Sequence, residues 1–260
     1  MDLTIPIVRA TWMRKLKRWI FNRYFRWETY VPQPALSDLE ADFWALLELC
    51  RPFTMTSVER LYSLYKAVEY VIRQNIPGDF VECGVWRGGS VMMMALALQK
   101  FGALRKIHCF DTFEGMTPPT DVDATRTGET AEAILTRSEK REGVHVWGIA
   151  ALDLVRKNIA TTGYAADLIC FHRGRVEKTI PSAAPGQIAI LRLDTDWYES
   201  TKHELVHLYP RLTRGGVLII DDYGFWRGSQ KATDEYLAES KAALMLHRID
   251  DTGRIAIKPE

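Results

Sequence analysis

Apolar and polar residues alternate with two different periods along this chain, and the periods separate helices from strands. Apolar residues recur at helical spacing over residues 57–74, which predicts a helix there. From Gly78 onward, short apolar runs predict five strands: D-F-V-E-C-G, K-I-H-C-F-D, D-L-I-C-F-H, Q-I-A-I-L-R-L-D and G-V-L-I-I-D-D. Helical patterns lie between or after these runs, over 90–100, 151–162, 201–212 and 230–240. Repeated strand–helix units of this kind indicate an α/β fold with a mostly parallel sheet.

The end of the chain carries a different pattern. The apolar runs A-L-M-L-H-R-I and R-I-A-I-K are separated only by D-D-T-G. A turn this short cannot make a parallel crossover, so the two runs are predicted to form an antiparallel hairpin. The sheet is therefore expected to be mixed at one edge.

The first 52 residues are predicted to form a basic helical arm and cap, ahead of a main domain over 53–260. Trp12, Leu16 and Trp19 lie on the apolar side of a predicted amphipathic helix that carries Arg and Lys on its other side. Such an arm either packs on its own domain or on a second subunit, or it contacts an anionic membrane through residues 1–30. The capping box S-D-L-E predicts a second helix from Ser37 to about Cys50.

Composition narrows the class of protein. The 34 basic and 33 acidic residues give a net charge of +1, so a nucleic-acid partner is not expected. No run of about 18 apolar residues is present, which argues against a transmembrane helix. None of the four cysteines forms a C-x-x-C pair. Reduced thiols and a cytoplasmic location are therefore expected.

The first predicted strand runs into a glycine-rich turn, V-E-C-G-V-W-R-G-G-S. Gly84 and two later glycines let the backbone approach a ligand closely, but their spacing is not that of the dinucleotide motif G-x-G-x-x-G. Glu82 would repel a pyrophosphate and suits an ammonium group. Asp111 ends the next strand and suits a ribose diol. The pair favours an adenosyl ligand without a phosphate.

Three acidic residues end the later strands, where ligands of open α/β sheets bind. Asp194 ends the fourth strand, and Asp221 and Asp222 follow the fifth. Uncompensated carboxylates this close would raise one another's pKa, and a hard cation such as Mg²⁺ or Mn²⁺ would relieve the repulsion. Asp196 alternates away from Asp194 on an extended chain and is therefore expected behind the ligands. The irregular polar stretch 118–147 is interpreted as an active-site loop outside the core.

The residues that carry these features also resemble a known family, the macrocin O-methyltransferases. The matching stretches are T-M-T-S-V-E-R-L, I-P-G-D-F-V-E-C-G-V-W-R-G-G-S, F-D-T-F-E-G-M, L-R-L-D-T-D-W-Y-E-S-T and G-G-V-L-I-I-D-D-Y-G-F-W. The resemblance implies a class I, Rossmann-like methyltransferase fold with seven strands, S-adenosylmethionine as the methyl donor, and Mg²⁺ on the three aspartates. It also implies a homo-oligomer. The cofactor positions that it implies are Glu82, Gly84, Ser90, Asp111 and Gly174.

The expected reaction is transfer of the methyl group to a hydroxyl acceptor, most consistent with a sugar on a natural product or glycan, and a role in antibiotic biosynthesis. Asp194 is the first choice for the base, and His145 in the polar loop is the second. Two alternatives stay open at this point: a catechol or other phenol as the acceptor, and a non-catalytic partner protein that binds S-adenosylmethionine. The chain departs from the family over its first 50 residues and over 118–147.

Overall fold

The structure is a computed structural model that describes residues 38–142 and 145–259. The chain divides into two units, Met1–Ala41 and Asp42–Glu260. The predicted amphipathic helix and Ser37 lie outside the described residues, so the arm over 1–52 stays a prediction. Among the described residues, no helix combines the length and apolar character that crossing a membrane requires.

A seven-stranded sheet forms the centre of the second unit, as expected. Its spatial order is β3-β2-β1-β4-β5-β7-β6, with β1 to β5 parallel and the last pair antiparallel. The strands are β1 Asp79–Cys83, β2 Ile107–Asp111, β3 Ile169–Arg173, β4 Ile188–Leu193, β5 Leu212–Ile220, β6 His247–Arg248 and β7 Arg254–Ile257.

Eight α-helices are found in the described part of the chain. They are α1 Ala41–Cys50, α2 Val58–Arg73, α3 Gly89–Lys100, α4 Ala131–Thr136, α5 Leu152–Ala160, α6 Val176–Thr179, α7 Tyr198–Leu208 and α8 Arg227–Ser240. Helix α2 begins where predicted because the Ser57 side chain accepts a hydrogen bond from the Arg60 backbone N–H. The apolar residues of α6, α7 and α8 pack on one face of the sheet, around Val81, Leu191 and Leu218.

Four local predictions differ from the structure. Helix α7 ends at Leu208, four residues early, because Tyr209–Arg211 forms a 3-10 turn and β5 already begins at Leu212. The described part of the first predicted helix begins at Ala41, and strand β6 contains only two residues. The stretch 118–147 is not excluded from the core, because it contains α4 and the fully buried Asp123.

The register of the strands places the informative residues along one edge. Cys83 pairs with Phe110 on one side and with Leu193 on the other, and Leu193 pairs with Ile220. The residues that end or follow these strands therefore lie side by side at the carboxyl edge of the sheet, where open α/β folds bind ligands.

Candidate active site

The loop between β1 and α3 approaches the end of β4 so closely that only glycine fits. Gly84 has φ +84°, and a Cβ atom on it would lie 2.0 Å from the backbone oxygen of Asp194. Trp86 also adopts a positive φ, of 46°. Ser90 is buried in the first turn of α3. The loop therefore presents its backbone at the edge of the sheet, and the cofactor role of Gly84 and Ser90 stays a prediction.

Asp111 holds this glycine loop in place. Its Oδ2 atom accepts hydrogen bonds from the backbone N–H groups of Val85, at 2.6 Å, and Trp86, at 3.0 Å, and its Oδ1 atom accepts one from Phe113 at 2.7 Å. Burial raises the pKa of Asp111, against the opposing effect of these bonds. The N–H of Gly174 donates to the Asp111 carbonyl at 2.9 Å, so these two predicted cofactor residues are neighbours. Binding of a ribose by Asp111 stays a prediction.

Arg192 is the functional residue that the sequence analysis missed. It is 2% exposed near the end of β4, and its guanidinium binds residues of both predicted sites. Its Nη1 atom donates to Glu82 at 2.6 Å and to Asp194 at 2.7 Å. Its Nη2 atom donates to Thr56 at 2.9 Å and also to Asp221. A charged residue inside an otherwise apolar strand, L-R-L, was the available signal, because arginine is almost never fully buried unless it is paired.

Glu82 is one of the carboxylates that this guanidinium binds. The carboxylate is 1% exposed, and only its Oε1 atom is bound by Arg192. The Oε2 atom is buried and has no hydrogen-bond partner among the described residues. Burial raises the pKa of Glu82 to about 7, although Arg192 opposes this rise. One oxygen of Glu82 is thus available to a cationic ligand.

The three aspartates predicted to bind a metal converge at the ends of β4 and β5. One carboxylate oxygen each of Asp194, Asp221 and Asp222 lie within 4.8 Å of one another. The main chain fixes this arrangement, because the Asp194 N–H donates to the Cys83 carbonyl at 2.8 Å and the Asp221 N–H donates to the Leu193 carbonyl at 2.9 Å. Burial and the neighbouring carboxylates raise the pKa values of Asp194 and Asp222 well above the usual range.

Two arginines, however, compensate part of this negative charge, which the sequence analysis did not foresee. Asp221 accepts from Arg192 through Oδ1 and from Arg60 through Oδ2. Asp222 is different: its Oδ2 atom is buried and has no partner among the residues that the structure covers. The carboxylates still outnumber the guanidinium groups, so the site retains an excess of negative charge.

The expectation that Asp196 points away from this cluster is wrong. Its φ is +68°, so the chain is not extended there and the alternation of strand residues does not apply. Its carboxylate lies beside that of Asp222 and interacts with the Trp226 side chain. Burial, and then the charges of Asp194 and Asp221, raise its pKa to about 7, against the opposing hydrogen bonds to Asp222 and Trp226. A fourth carboxylate therefore belongs to the site.

The polar loop is attached directly to the segments that follow these acids. Asp123 accepts hydrogen bonds from the Thr120 backbone at 2.7 Å and from the Tyr198 backbone at 2.8 Å. The indole N–H of Trp197 donates to the Thr117 carbonyl at 2.9 Å. The backbone of His145 lies in the short 3-10 helix His145–Trp147, but its side chain lies outside the described residues. Its role as a base stays a prediction.

The order of the strands, the glycine loop after β1 and the acids at the strand ends define a Rossmann-like methyltransferase. The chain matches the model of the family described as Macrocin-O-methyltransferase (TylF) over residues 48–256, and it belongs to that family. The expectation of an S-adenosylmethionine-dependent O-methyltransferase is thereby confirmed.

Similar proteins are found in Streptomyces species. The chain is 36% identical over 201 residues to 8-demethyl-8-(2,3-dimethoxy-alpha-L-rhamnosyl)-tetracenomycin-C 4'-O-methyltransferase of Streptomyces olivaceus, a match covering 77% of this chain and 73% of the relative. It is 33% identical, with the same coverage, to demethyldecarbamoylnovobiocin O-methyltransferase of Streptomyces niveus. Among solved structures, the O-methyltransferase NovP has 32% identity and a TM-score of 0.69, covering 80% of this chain and 83% of NovP.

Proposed function

We propose that this enzyme methylates a sugar hydroxyl of a glycosylated natural product, and that a divalent cation, Mg²⁺ or Mn²⁺, binds at the aspartate cluster. The observation that carries the proposal is the cluster itself: Asp194, Asp221 and Asp222 converge beside the cofactor loop. The acceptor is inferred from the relatives, because the Streptomyces olivaceus enzyme is named for a rhamnosyl substrate. From such names we also infer a role in antibiotic biosynthesis.

The chain's own groups suit S-adenosylmethionine at the edge of the sheet. The first turn of α3, which contains Ser90, would offer its backbone N–H groups to the methionine carboxylate, and the Oε2 atom of Glu82, which has no partner among the described residues, suits the ammonium group. Asp111 is assigned the ribose hydroxyls, because a carboxylate has further lone pairs beyond those that the loop uses. Gly84 lets the loop lie this close to the end of β4, because any side chain there would collide with Asp194.

The donor set also fits a hard divalent cation. The Oδ2 atom of Asp222 is buried without a partner among the described residues, and an unpaired buried carboxylate oxygen is costly. Oxygen ligands favour Mg²⁺ or Mn²⁺ over zinc. A bound cation would orient the acceptor hydroxyl and lower its pKa.

Two carboxylates are placed to take the acceptor proton. The Oδ2 atom of Asp194 accepts from Arg192, and Asp194 also belongs to the proposed metal ligands. Asp196 is not one of the proposed metal ligands, and no guanidinium or ammonium group in the described part of the chain pairs with it. We therefore favour Asp196 over Asp194 as the general base. Asp196 lies beside Asp222, so it would be near a hydroxyl held by a cation on Asp222 and could accept the proton.

The test measures formation of S-adenosylhomocysteine from S-adenosylmethionine with a rhamnosyl glycoside or a catechol as the acceptor. Turnover is expected with the glycoside in Mg²⁺ and is expected to stop in EDTA. Preference for the catechol would overturn the sugar assignment, and full activity in EDTA would overturn the metal.

Two variants distinguish the metal ligands from the cofactor residues. Asp222→Asn is expected to lose activity while its affinity for S-adenosylmethionine, measured by calorimetry, stays within about threefold of the original. Asp251→Asn, at an exposed position, is the matched control and should keep both properties. If Asp222→Asn is as active as the control, Asp222 is not a ligand.

A further inference from the structure

We propose that Arg60 is the internal counterion of the aspartate cluster, and that a divalent cation displaces its guanidinium from Asp221 toward Asp250. The inference rests on the metal dependence proposed above and adds a residue to it. Arg60 lies in the first turn of α2, outside the segments that carry the aspartates.

The guanidinium of Arg60 bridges two carboxylates. Its Nη1 atom contacts Oδ2 of Asp221, and its Nε atom lies 3.0 Å from Oδ2 of Asp250. The side chain is 13% exposed, so these contacts lie largely out of the solvent. Arg60 thus has a second anionic partner besides Asp221.

Asp221 has no oxygen free of a guanidinium. Arg192 occupies Oδ1 and Arg60 occupies Oδ2. A cation ligated by Asp221 must therefore take the place of one guanidinium or lie directly against it, and like charges at such a distance repel strongly in a buried site. Binding of a metal through Asp221 therefore calls for a response from one of the two arginines.

Arg60 is the arginine that can respond. Arg192 makes hydrogen bonds to four groups and is 2% exposed, so its displacement would leave Glu82, Asp194 and Thr56 without their partner. Arg60 would lose only Asp221 and would keep Asp250. The two arginines therefore differ in how many groups would lose their hydrogen-bond partner if the guanidinium moved.

The Asp250 carboxylate is positioned to keep its contact with the Arg60 guanidinium. It lies in the turn between β6 and β7, where its Oδ1 atom accepts from the backbone N–H groups of Thr252, at 2.8 Å, and Gly253, at 2.7 Å. Its Oδ2 atom accepts from the Ser57 hydroxyl at 2.6 Å. A Cβ atom on Gly253 would lie 2.8 Å from Cδ of Arg60, so the turn also packs on the arginine stem. The Asp250 carboxylate is thus held by three hydrogen bonds besides its contact with Arg60.

The test is calorimetric titration of the full chain with Mn²⁺ alone, in four variants. Arg60→Gln removes the competing charge and is expected to bind Mn²⁺ at least about tenfold more tightly, within the usual range of coupling between two sites. Asp250→Asn removes the second partner, so Arg60 stays on Asp221 and binding should weaken. The controls are Arg105→Gln, whose guanidinium binds the Ile76 and Gly78 carbonyls at the other end of β1, and Asp251→Asn in the same turn as Asp250.

Each outcome decides something. If Arg60→Gln binds Mn²⁺ no more tightly than the original protein does, the inference is overturned, while the proposed metal site stays intact. If no variant binds Mn²⁺, the metal dependence fails and the inference fails with it. If Arg60→Gln does not fold, Asp250→Asn decides: binding as tight as that of Asp251→Asn would show that Arg60 does not compete with the metal.

Discussion

Asp250 joins the C-terminal hairpin to helix α2, and its charge should make a measurable contribution to the stability of the fold. Arg60, the Ser57 hydroxyl and two backbone N–H groups lower the pKa of Asp250 from 3.8 to about 2, against the opposing effect of burial. The side chain is only 17% exposed, so solvent screens the interaction little. Each unit of pKa corresponds to about 1.4 kcal/mol, so ionised Asp250 contributes about 2 kcal/mol to the free energy of unfolding.

The sign of the pH dependence follows from the lowered pKa. A carboxyl group that holds its proton less tightly in the folded state stabilises the fold above its unfolded pKa, near 3.8, and this contribution disappears as the pH falls through about 2. Asp250→Asn should therefore lower the free energy of unfolding by about 2 kcal/mol at pH 7 and by about 1 kcal/mol at pH 3.

The assay is urea denaturation of the metal-free protein at both pH values, followed by tryptophan fluorescence. The matched variant Asp251→Asn changes an exposed carboxylate in the same turn and should alter stability by less than about 0.5 kcal/mol. An Asp250→Asn effect of the same size at pH 3 and pH 7 would show that the loss comes from packing or from hydrogen bonds that do not need the charge. That result would refute the electrostatic reasoning.

Three further predictions concern buried polar groups around the site. Arg192→Met should lower the free energy of unfolding by about 3–5 kcal/mol, because the buried carboxylates of Glu82 and Asp221 would lose their charged partner. A loss below about 1 kcal/mol in urea denaturation would contradict this. Burial raises the pKa of Glu204 well above the usual range, which favours the protonated form, and its Oε1 atom accepts a hydrogen bond from the Thr195 hydroxyl at 2.9 Å. Glu204→Gln should then keep kcat, whereas Glu204→Leu should lower it, and equal rates in the two variants would exclude a positioning role. Asp123→Ala should cost about 2 kcal/mol and speed proteolysis within residues 117–130, and an unchanged cleavage rate would show that the loop is held by other contacts.

Much of the site could be predicted because the pattern of apolar runs fixes where parallel strands end. Asp111, Asp194 and Asp221 lie at one edge for that reason alone, since strands of a parallel sheet share their direction. The helix bounds were less certain, because the 3-10 turn after α7 depends on how the chain enters β5 rather than on periodicity.

The residues that were missed depend on contacts between distant parts of the chain. Arg192 meets a glutamate 110 positions away, and Arg60 meets an aspartate 161 positions away. No local spacing encodes such pairs, although an arginine inside an apolar strand signals that a partner must exist. Asp196 was misplaced for another reason: a single positive φ reverses the direction of a side chain, and extended alternation cannot reveal it.

The loop over 118–147 is tied to the same segments that hold the carboxylates. Asp123 binds the backbone of Tyr198, two residues after Asp196. Thr125 forms a bridge with Trp226, four residues after Asp222. These anchors couple the base of the loop to the segments that carry the acids, whereas Thr127 and Gly128 at its tip are exposed and bond to Thr125 within the loop. We therefore expect that substitutions in the tip change which acceptor binds while the geometry of the carboxylates is retained, because loops carry specificity on a rigid scaffold.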